Sequence, residues 1–122
     1  MTVVSETSGT RRLLIDALSN LAADPDTQLA RLRSRGPWSV DDLALDHNHA
    51  AGAALRARIL TPAQSAAVEE LDTYLDKISG HDHAQLWTET ALRSATEWSA
   101  IRELARRALI ELQQTGDGSL PT

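Results

Sequence analysis

Residues 94–114 read SATEWSAIRELARRALIELQQ, and this stretch has the clearest helical periodicity in the chain. Ser94 and Glu97 have the spacing of a capping box, and Gly116 stands where a left-handed residue commonly ends a helix. Arg102 and Arg106 fall on the charged face of this helix. The other face collects the apolar residues Trp98, Ile101, Leu104, Ala105, Ala108, Leu109 and Leu112. The sequence therefore predicts a long amphipathic helix whose apolar face must pack against another element.

The best partner for this helix is the stretch from Thr61 to Ser79. Thr61 followed by Pro62 and Gln64 combines a capping residue, a proline at the first helical position and a capping box. The apolar residues of this stretch have a spacing close to that of coiled-coil seams; they are Val68, Leu71, Leu75 and Ile78. We therefore predict that residues 62–79 and 95–114 form a central antiparallel pair.

Composition favours helices throughout the chain. Leu and Ala supply 37 of the 122 residues, whereas Val and Ile supply 9, and Phe is absent. Such a composition favours helix over strand, and the length is that of one domain. We predict an all-α fold, a compact helical bundle of four principal helices plus two short helices. Cysteine is absent, which excludes disulfides and thiolate chemistry.

The remaining segments follow from start and stop signals along the chain. We predict helices over residues 10–23, 25–35, 40–58 and 83–93, and a single domain over residues 10–114. The third of these helices opens at Ser39 and Asp42, and its small residues around Gly52 allow either a continuous helix or a break. Residues 1–9 and 115–122 are predicted to be disordered tails.

Acidic side chains are concentrated in the middle of the chain. Glu69, Asp72 and Asp76 occupy one side of the predicted fourth helix without an intervening cation. The predicted partner-binding residues add Asp42 and Asp46 to these three, with apolar contacts from Trp38 and Ile110. Such a surface suits a basic protein partner, and an immunity, antitoxin or regulatory role is one form of this interaction. A solubilising acidic surface is the alternative interpretation.

The four histidines suggest a metal site as a second hypothesis. They occur as two His-x-His triplets, at residues 47–49 and 81–83. In a continuous helix His47 and His49 point to different faces, and His47 is predicted to be buried and hydrogen-bonded. Asp42, Asp46 and His49 share a polar face, and Asp46 with His49 has the spacing of carboxylate-histidine ligands in helical bundles. The alternative function is therefore a metal-binding bundle or a metal-dependent enzyme.

Other functional classes find no support in the sequence. It contains no catalytic motif and implies no cofactor, so a non-enzymatic protein is expected. The net charge of -5 disfavours nucleic acid and anionic membranes as partners, and no apolar stretch is long enough to span a membrane. A cytoplasmic location is the default expectation. Arg outnumbers Lys by 11 to 1, as is typical of GC-rich bacterial genomes, and the apolar seam spacing is also compatible with a homodimer.

Overall fold

The computed structural model describes the backbone of residues 2–118 and the side chains of residues 9–113. The secondary structure of this part of the chain is entirely helical. Its long helices are α1 (Thr2–Ala22), α2 (Pro25–Arg33), α3 (Asp41–Ala57), α4 (Pro62–Lys77) and α6 (Thr96–Gly118). A 3₁₀ helix (His81–Leu86) and the short helix α5 (Glu89–Ser94) lie between α4 and α6. The predicted all-α bundle is confirmed, with one short helix more than expected.

Helix α6 is the centre of the bundle. It packs against α4 on one side and against α1 on the other, and α1 in turn packs against α3. The pairing of α4 with α6 is antiparallel, since Gln64 at the start of α4 donates from Nε2 to the carbonyl oxygen of Glu111 near the end of α6, at 3.3 Å. The predicted central pair is thus confirmed. The contact between α3 and α4 is much less extensive, and this leaves a groove between them.

The start of α6 differs from the prediction. Ser94 is the last residue of α5, and its hydroxyl donates to the carbonyl oxygen of Thr90 at 2.9 Å instead of capping α6. The backbone is extended at Ala95, and α6 begins at Thr96. Gly116 lies inside α6. The predicted cap at Ser94 and stop at Gly116 are therefore wrong, whereas the capping box of α4 at Thr61 and Gln64 is confirmed.

Helix α3 is continuous through Gly52. The guanidinium of Arg56 occupies the space beside this glycine, and a Cβ atom at residue 52 would lie 3.2 Å from its Nη1. At the start of the helix only half of the expected capping box forms. The carboxylate of Asp42 accepts from the backbone N–H of Ser39 at 3.1 Å, but the Ser39 hydroxyl accepts from Asp41 instead of Asp42. The first helical residue is consequently Asp41.

The segment predicted as one helix over residues 83–93 is divided in two. Trp87 donates from Nε1 to the carbonyl oxygen of Ile78, and Trp98 donates to that of Leu86. These two hydrogen bonds hold the end of the 3₁₀ helix against the bundle. Thr88 then caps α5, because its hydroxyl accepts from the backbone N–H of Ala91 at 3.1 Å. The prediction missed this break because the Trp contacts join residues that are not helical neighbours.

The terminal helices are longer than predicted. Helical backbone begins at Thr2 and continues to Gly118, although helix starts and stops were expected near residues 10 and 114. The predicted tails thus include residues 2–9 and 115–118, which have helical backbone, while Met1 and residues 119–122 lie outside the described residues. Disorder of either tail remains a prediction.

A buried arginine joins four elements of the bundle. Arg102 on α6 is only 7% exposed, and it donates to the carbonyl oxygen of Ala23, the side-chain oxygen of Gln28 and the carbonyl oxygen of Leu92. Burial, and then repulsion from Arg106, lower the pKa of this guanidinium, while the negative charge of Asp24 opposes the effect. The placement of Arg102 on a solvent-facing side was wrong, because its partners lie on distant parts of the chain.

Asp24 caps α2 and makes stability depend on pH. Hydrogen bonds from the hydroxyl and then the backbone N–H of Thr27 lower its pKa below the ordinary value of 3.8. A lowered pKa in the folded state means that the carboxylate stabilises the fold above about pH 4, and that this contribution disappears as the pH falls through the lowered value. In Asp24→Asn we expect this contribution to be absent, so the stabilities of the two proteins should converge in acid. Urea unfolding between about pH 6 and pH 2.5 measures the difference, and a constant difference would contradict the assignment.

Candidate functional site

The three predicted acidic residues of α4 form a stripe beside the buried face of the helix, each one position after a buried residue. Glu69 and Asp76 are exposed, and Asp72 between them is 33% exposed. The adjacent buried face of the helix carries Val68, Leu71 and Leu75. The apolar periodicity of this helix therefore correctly predicted that its acidic residues lie at the surface.

Asp72 has a specific partner in α3. Its Oδ1 lies 2.6 Å from Nε2 of His47, which is completely buried. Because the carboxylate oxygen is an acceptor, Nε2 carries the hydrogen and donates it. Nδ1 has no hydrogen-bond partner among the described residues. The prediction that His47 is buried and hydrogen-bonded is confirmed. The same hydrogen bond fixes the position of the Asp72 carboxylate.

Arginine neutralises several carboxylates elsewhere on the described surface. The ion pairs join Arg33 to Glu89, Arg35 to Asp46, Arg93 to Asp26, and both Arg106 and Arg107 to Glu103. Exposed pairs of this kind contribute little to stability, but they cancel the local charge.

The carboxylates around α4 have no such compensation. Within residues 9–113, Asp41, Glu69 and Asp76 form no ion pair with a Lys or Arg side chain, and Glu70 and Asp82 nearby form none either. These unpaired carboxylates lie along α4, at the start of α3 and at the start of the 3₁₀ helix, while Asp16 on α1 and Glu97 on α6 also form no ion pair with Lys or Arg among the described residues.

Asp72 and Asp76 line a groove that runs along α3, first between α3 and α4 and then between α3 and residues 79–87; we call it the α3/α4 groove. It consists of two adjoining depressions of about 360 and 630 Å³. Both depressions contact Ala44, Asn48 and Ser79. The smaller one adds Asp72, Thr73, Leu75 and Asp76, and the larger adds Ser39, Asp41, Leu45, Gly80, His81, Ala84 and Trp87. Acidic and apolar side chains thus share one groove.

Leu45 is a residue of this groove that the sequence did not single out. It is 56% exposed, although it lies on a helix whose apolar residues are mostly buried. Its neighbours in the groove include Ala84 and Trp87. The sequence did contain one indication that Leu45 lies at the surface. It stands next to Ala44 at the edge of the apolar face of α3, one turn after Asp41 and Asp42.

Asp46 and His49 line a different cleft, between α1 and α3, of about 480 Å³. Arg35 also lines this cleft and forms an ion pair with Asp46. Asp42 is not among the lining residues, and its carboxylate accepts from the backbone of Ser39. The structure therefore does not bring together the three predicted metal ligands. Among residues 9–113, no group of three or more His, Asp or Glu side chains is arranged to hold a metal ion.

Neither of the two predicted apolar anchors lines the α3/α4 groove, although Trp38 directly precedes the lining residue Ser39. Trp38 is half-buried against the core, with the guanidinium of Arg33 at 6.0 Å from its ring centre. Ile110 is 50% exposed on α6. Neither residue lines any of the three depressions described above. The apolar component of the groove is supplied by Leu45 and Trp87 instead.

Comparisons with protein-family models, with curated proteins and with solved structures gave no significant match. None of the described helices has both the length and the apolar character required to cross a membrane. The function must consequently be inferred from the physical chemistry of the α3/α4 groove.

Proposed function

We propose that this chain is a small, non-enzymatic binding module that recognises a basic protein through the α3/α4 groove and the acidic face of α4. The observation that carries the proposal is the set of carboxylates without an ion pair, Asp41, Glu69 and Asp76, around a groove that also presents an exposed leucine. Unpaired surface charges attract an oppositely charged partner over about 10 Å and increase the rate of association. An immunity or antitoxin role in a bacterial cytoplasm is one form of this function.

Asp72 has a different role from Glu69 and Asp76 in this proposal. Its carboxylate contributes charge to the groove, and its hydrogen bond with His47 fixes its orientation. Removing Asp72 would leave the buried imidazole without its acceptor, at a cost of about 1 to 3 kcal/mol. A mutational test of binding should therefore change Glu69 and Asp76, which have no such structural role.

The test is a charge reversal on α4, with a single charge reversal on α1 as the control for fold and position. The double variant Glu69→Lys/Asp76→Lys is expected to lose a basic protein that the wild-type chain retains from lysate of its own cell at about 0.1 M salt. Asp16→Lys is the control for fold and specificity, because Asp16 is exposed on α1 and lines the other cleft. Native mass spectrometry of the untagged protein identifies the species that remain bound.

Three outcomes of this experiment differ in meaning. Loss of the partner only in the double variant supports the proposed function. Equal retention by the double variant and the wild type would mean that the acidic face only solubilises the protein. A stoichiometric metal ion that is lost in His49→Ala would instead favour the metal-binding alternative.

A further inference from the structure

One wall of the α3/α4 groove is a stripe of α3, and the other is formed by α4 and then by the segment from Ser79 to Trp87. On α3 the lining residues Asp41, Ala44, Leu45 and Asn48 have the spacing of one helix face, and on α4 the stripe begins at Asp72 and passes through Asp76. At a rise of about 1.5 Å per residue, a stripe of this length extends for about 10 Å, which is two helical turns. The groove thus has the length of a short helical segment.

The two ends of the groove differ in chemistry. One end carries the apolar side chains of Leu45, Ala84 and Trp87 together with the polar side chains of Asp41 and His81. Trp87 is fixed there by its hydrogen bond to Ile78 at 2.9 Å and by an edge-to-face contact with Trp98. This end therefore offers a rigid surface for an aliphatic side chain. The opposite end presents Asp72 and Asp76, whose Cβ atoms are about 5 to 6 Å apart as helical neighbours.

The backbone of the groove also restricts the ligand. The parts of the wall supplied by α3 and α4 are helical, so their backbone N–H and C=O groups are paired within the helix except at the ends, and the non-helical residues Ser39, Ser79 and Gly80 complete the lining. An extended peptide would have to find partners for its own backbone groups, and the walls offer no strand edge for this purpose. A helical ligand satisfies its backbone internally and needs only side-chain contacts.

Building on the proposed function, we infer that the ligand of the α3/α4 groove is a basic amphipathic helix of the partner protein. Two Lys or Arg side chains, four residues apart on this helix, face Asp72 and Asp76. An aliphatic side chain on the same face, one to two turns away, packs against Leu45 and Trp87. The side chains of Ala44, Asn48 and Ser79, which line both depressions, are short, so the partner helix can approach the floor of the groove closely.

The probe is a fluorescein-labelled helical peptide of about 16 residues, with two Arg residues at i and i+4 and a Leu one to two turns away on the same face. A second peptide has the same composition, charge and helicity but places the Leu on the opposite face. Fluorescence polarisation at about 0.1 M salt measures both affinities. We expect the first peptide to bind about tenfold more tightly, and Leu45→Gln to remove this difference. Leu13→Gln is the matched control, because Leu13 is 61% exposed on α1.

The outcomes separate this inference from the proposed function. If both peptides bind equally and Glu69→Lys/Asp76→Lys weakens both, the acidic face binds basic partners but the helix inference is overturned. If neither peptide binds, while the wild-type chain still retains a basic protein through Glu69 and Asp76, the inference is again wrong and the proposed function stands. A dimer in sedimentation experiments that Leu45→Gln dissociates would overturn the inference by assigning the groove to a second copy of the chain.

Discussion

Replacement of Arg102 by methionine is expected to lower the free energy of unfolding by about 3 to 4 kcal/mol. The methionine can fill much of the same volume, but it cannot donate hydrogen bonds. The carbonyl oxygens of Ala23 and Leu92 and the side-chain oxygen of Gln28 then lose their donor inside the protein. Each unsatisfied buried acceptor costs about 1 to 3 kcal/mol, only partly compensated by the easier burial of an uncharged side chain. Urea unfolding monitored by circular dichroism measures the loss.

Arg106→Met is the matched control for this experiment. Arg106 lies one turn further along α6, is exposed, and pairs only with Glu103 at 3.2 Å among the described side chains. Its replacement is expected to change the free energy of unfolding by about 0.5 kcal/mol or less. Arg102→Lys should recover only part of the stability, since an ammonium group cannot reproduce the planar arrangement of guanidinium donors. Equal effects of Arg102→Met and Arg106→Met would contradict the proposed role of the buried network.

Arg102 and Gln28 form one hydrogen-bond network and contribute to the stability of the bundle together. Gln28 is fully buried, and its Nε2 donates at 3.0 Å to the carbonyl oxygens of Asn20 and Leu21 at the end of α1. Its side-chain oxygen accepts from Arg102. The two side chains together satisfy carbonyl groups that α1 leaves unpaired at its C-terminal end. They explain why α1, α2 and α5 are held to the same part of α6.

Helical periodicity could predict the fold because it is a local property of the sequence. The buried positions of α4, such as Val68 and Leu75, and the capping box at Thr61 depend on residues within one or two turns. Where two local signals compete, the prediction failed. Ser94 has the correct spacing to cap α6, but Thr88 caps α5 first and the helix then includes Ser94.

The parts of the site that could not be predicted depend on contacts between distant residues. The sequence placed Asp72 on a polar face, but it did not reveal that a buried imidazole 25 residues away would bind it. The sequence pattern assigned Arg102 to the charged side of α6. It could not show that Arg102 is buried, because its partner Gln28 is 74 residues away. Leu45 was missed because its place in the groove depends on residues 79–87, which are distant in the sequence. A helical wheel contains no information of this kind.

Replacement of Trp98 by alanine is expected to be about as damaging as the loss of Arg102, with a cost of about 3 to 5 kcal/mol. Trp98 is completely buried in α6, and its ring meets that of Trp87 edge to face at 5.5 Å. Its removal would create a cavity next to the 3₁₀ helix and would leave the carbonyl oxygen of Leu86 without its donor, which now lies at 2.7 Å. The loss should be visible as a lower midpoint of urea unfolding.

The variant Trp98→Phe distinguishes the contribution of the Trp98 hydrogen bond to stability from the contribution of its packing. Phenylalanine retains an aromatic ring but has no N–H, so about 1 to 3 kcal/mol should be lost through the unpaired carbonyl of Leu86 and the smaller ring. Trp38→Phe is the control, because Trp38 is only half-buried and its indole donates no hydrogen bond to the described residues. Since Trp98 also supports Trp87 in the wall of the α3/α4 groove, Trp98→Phe should weaken binding of the helical peptide more than Trp38→Phe does. Unchanged stability and unchanged peptide affinity in Trp98→Phe would show that the indole N–H does not position this wall.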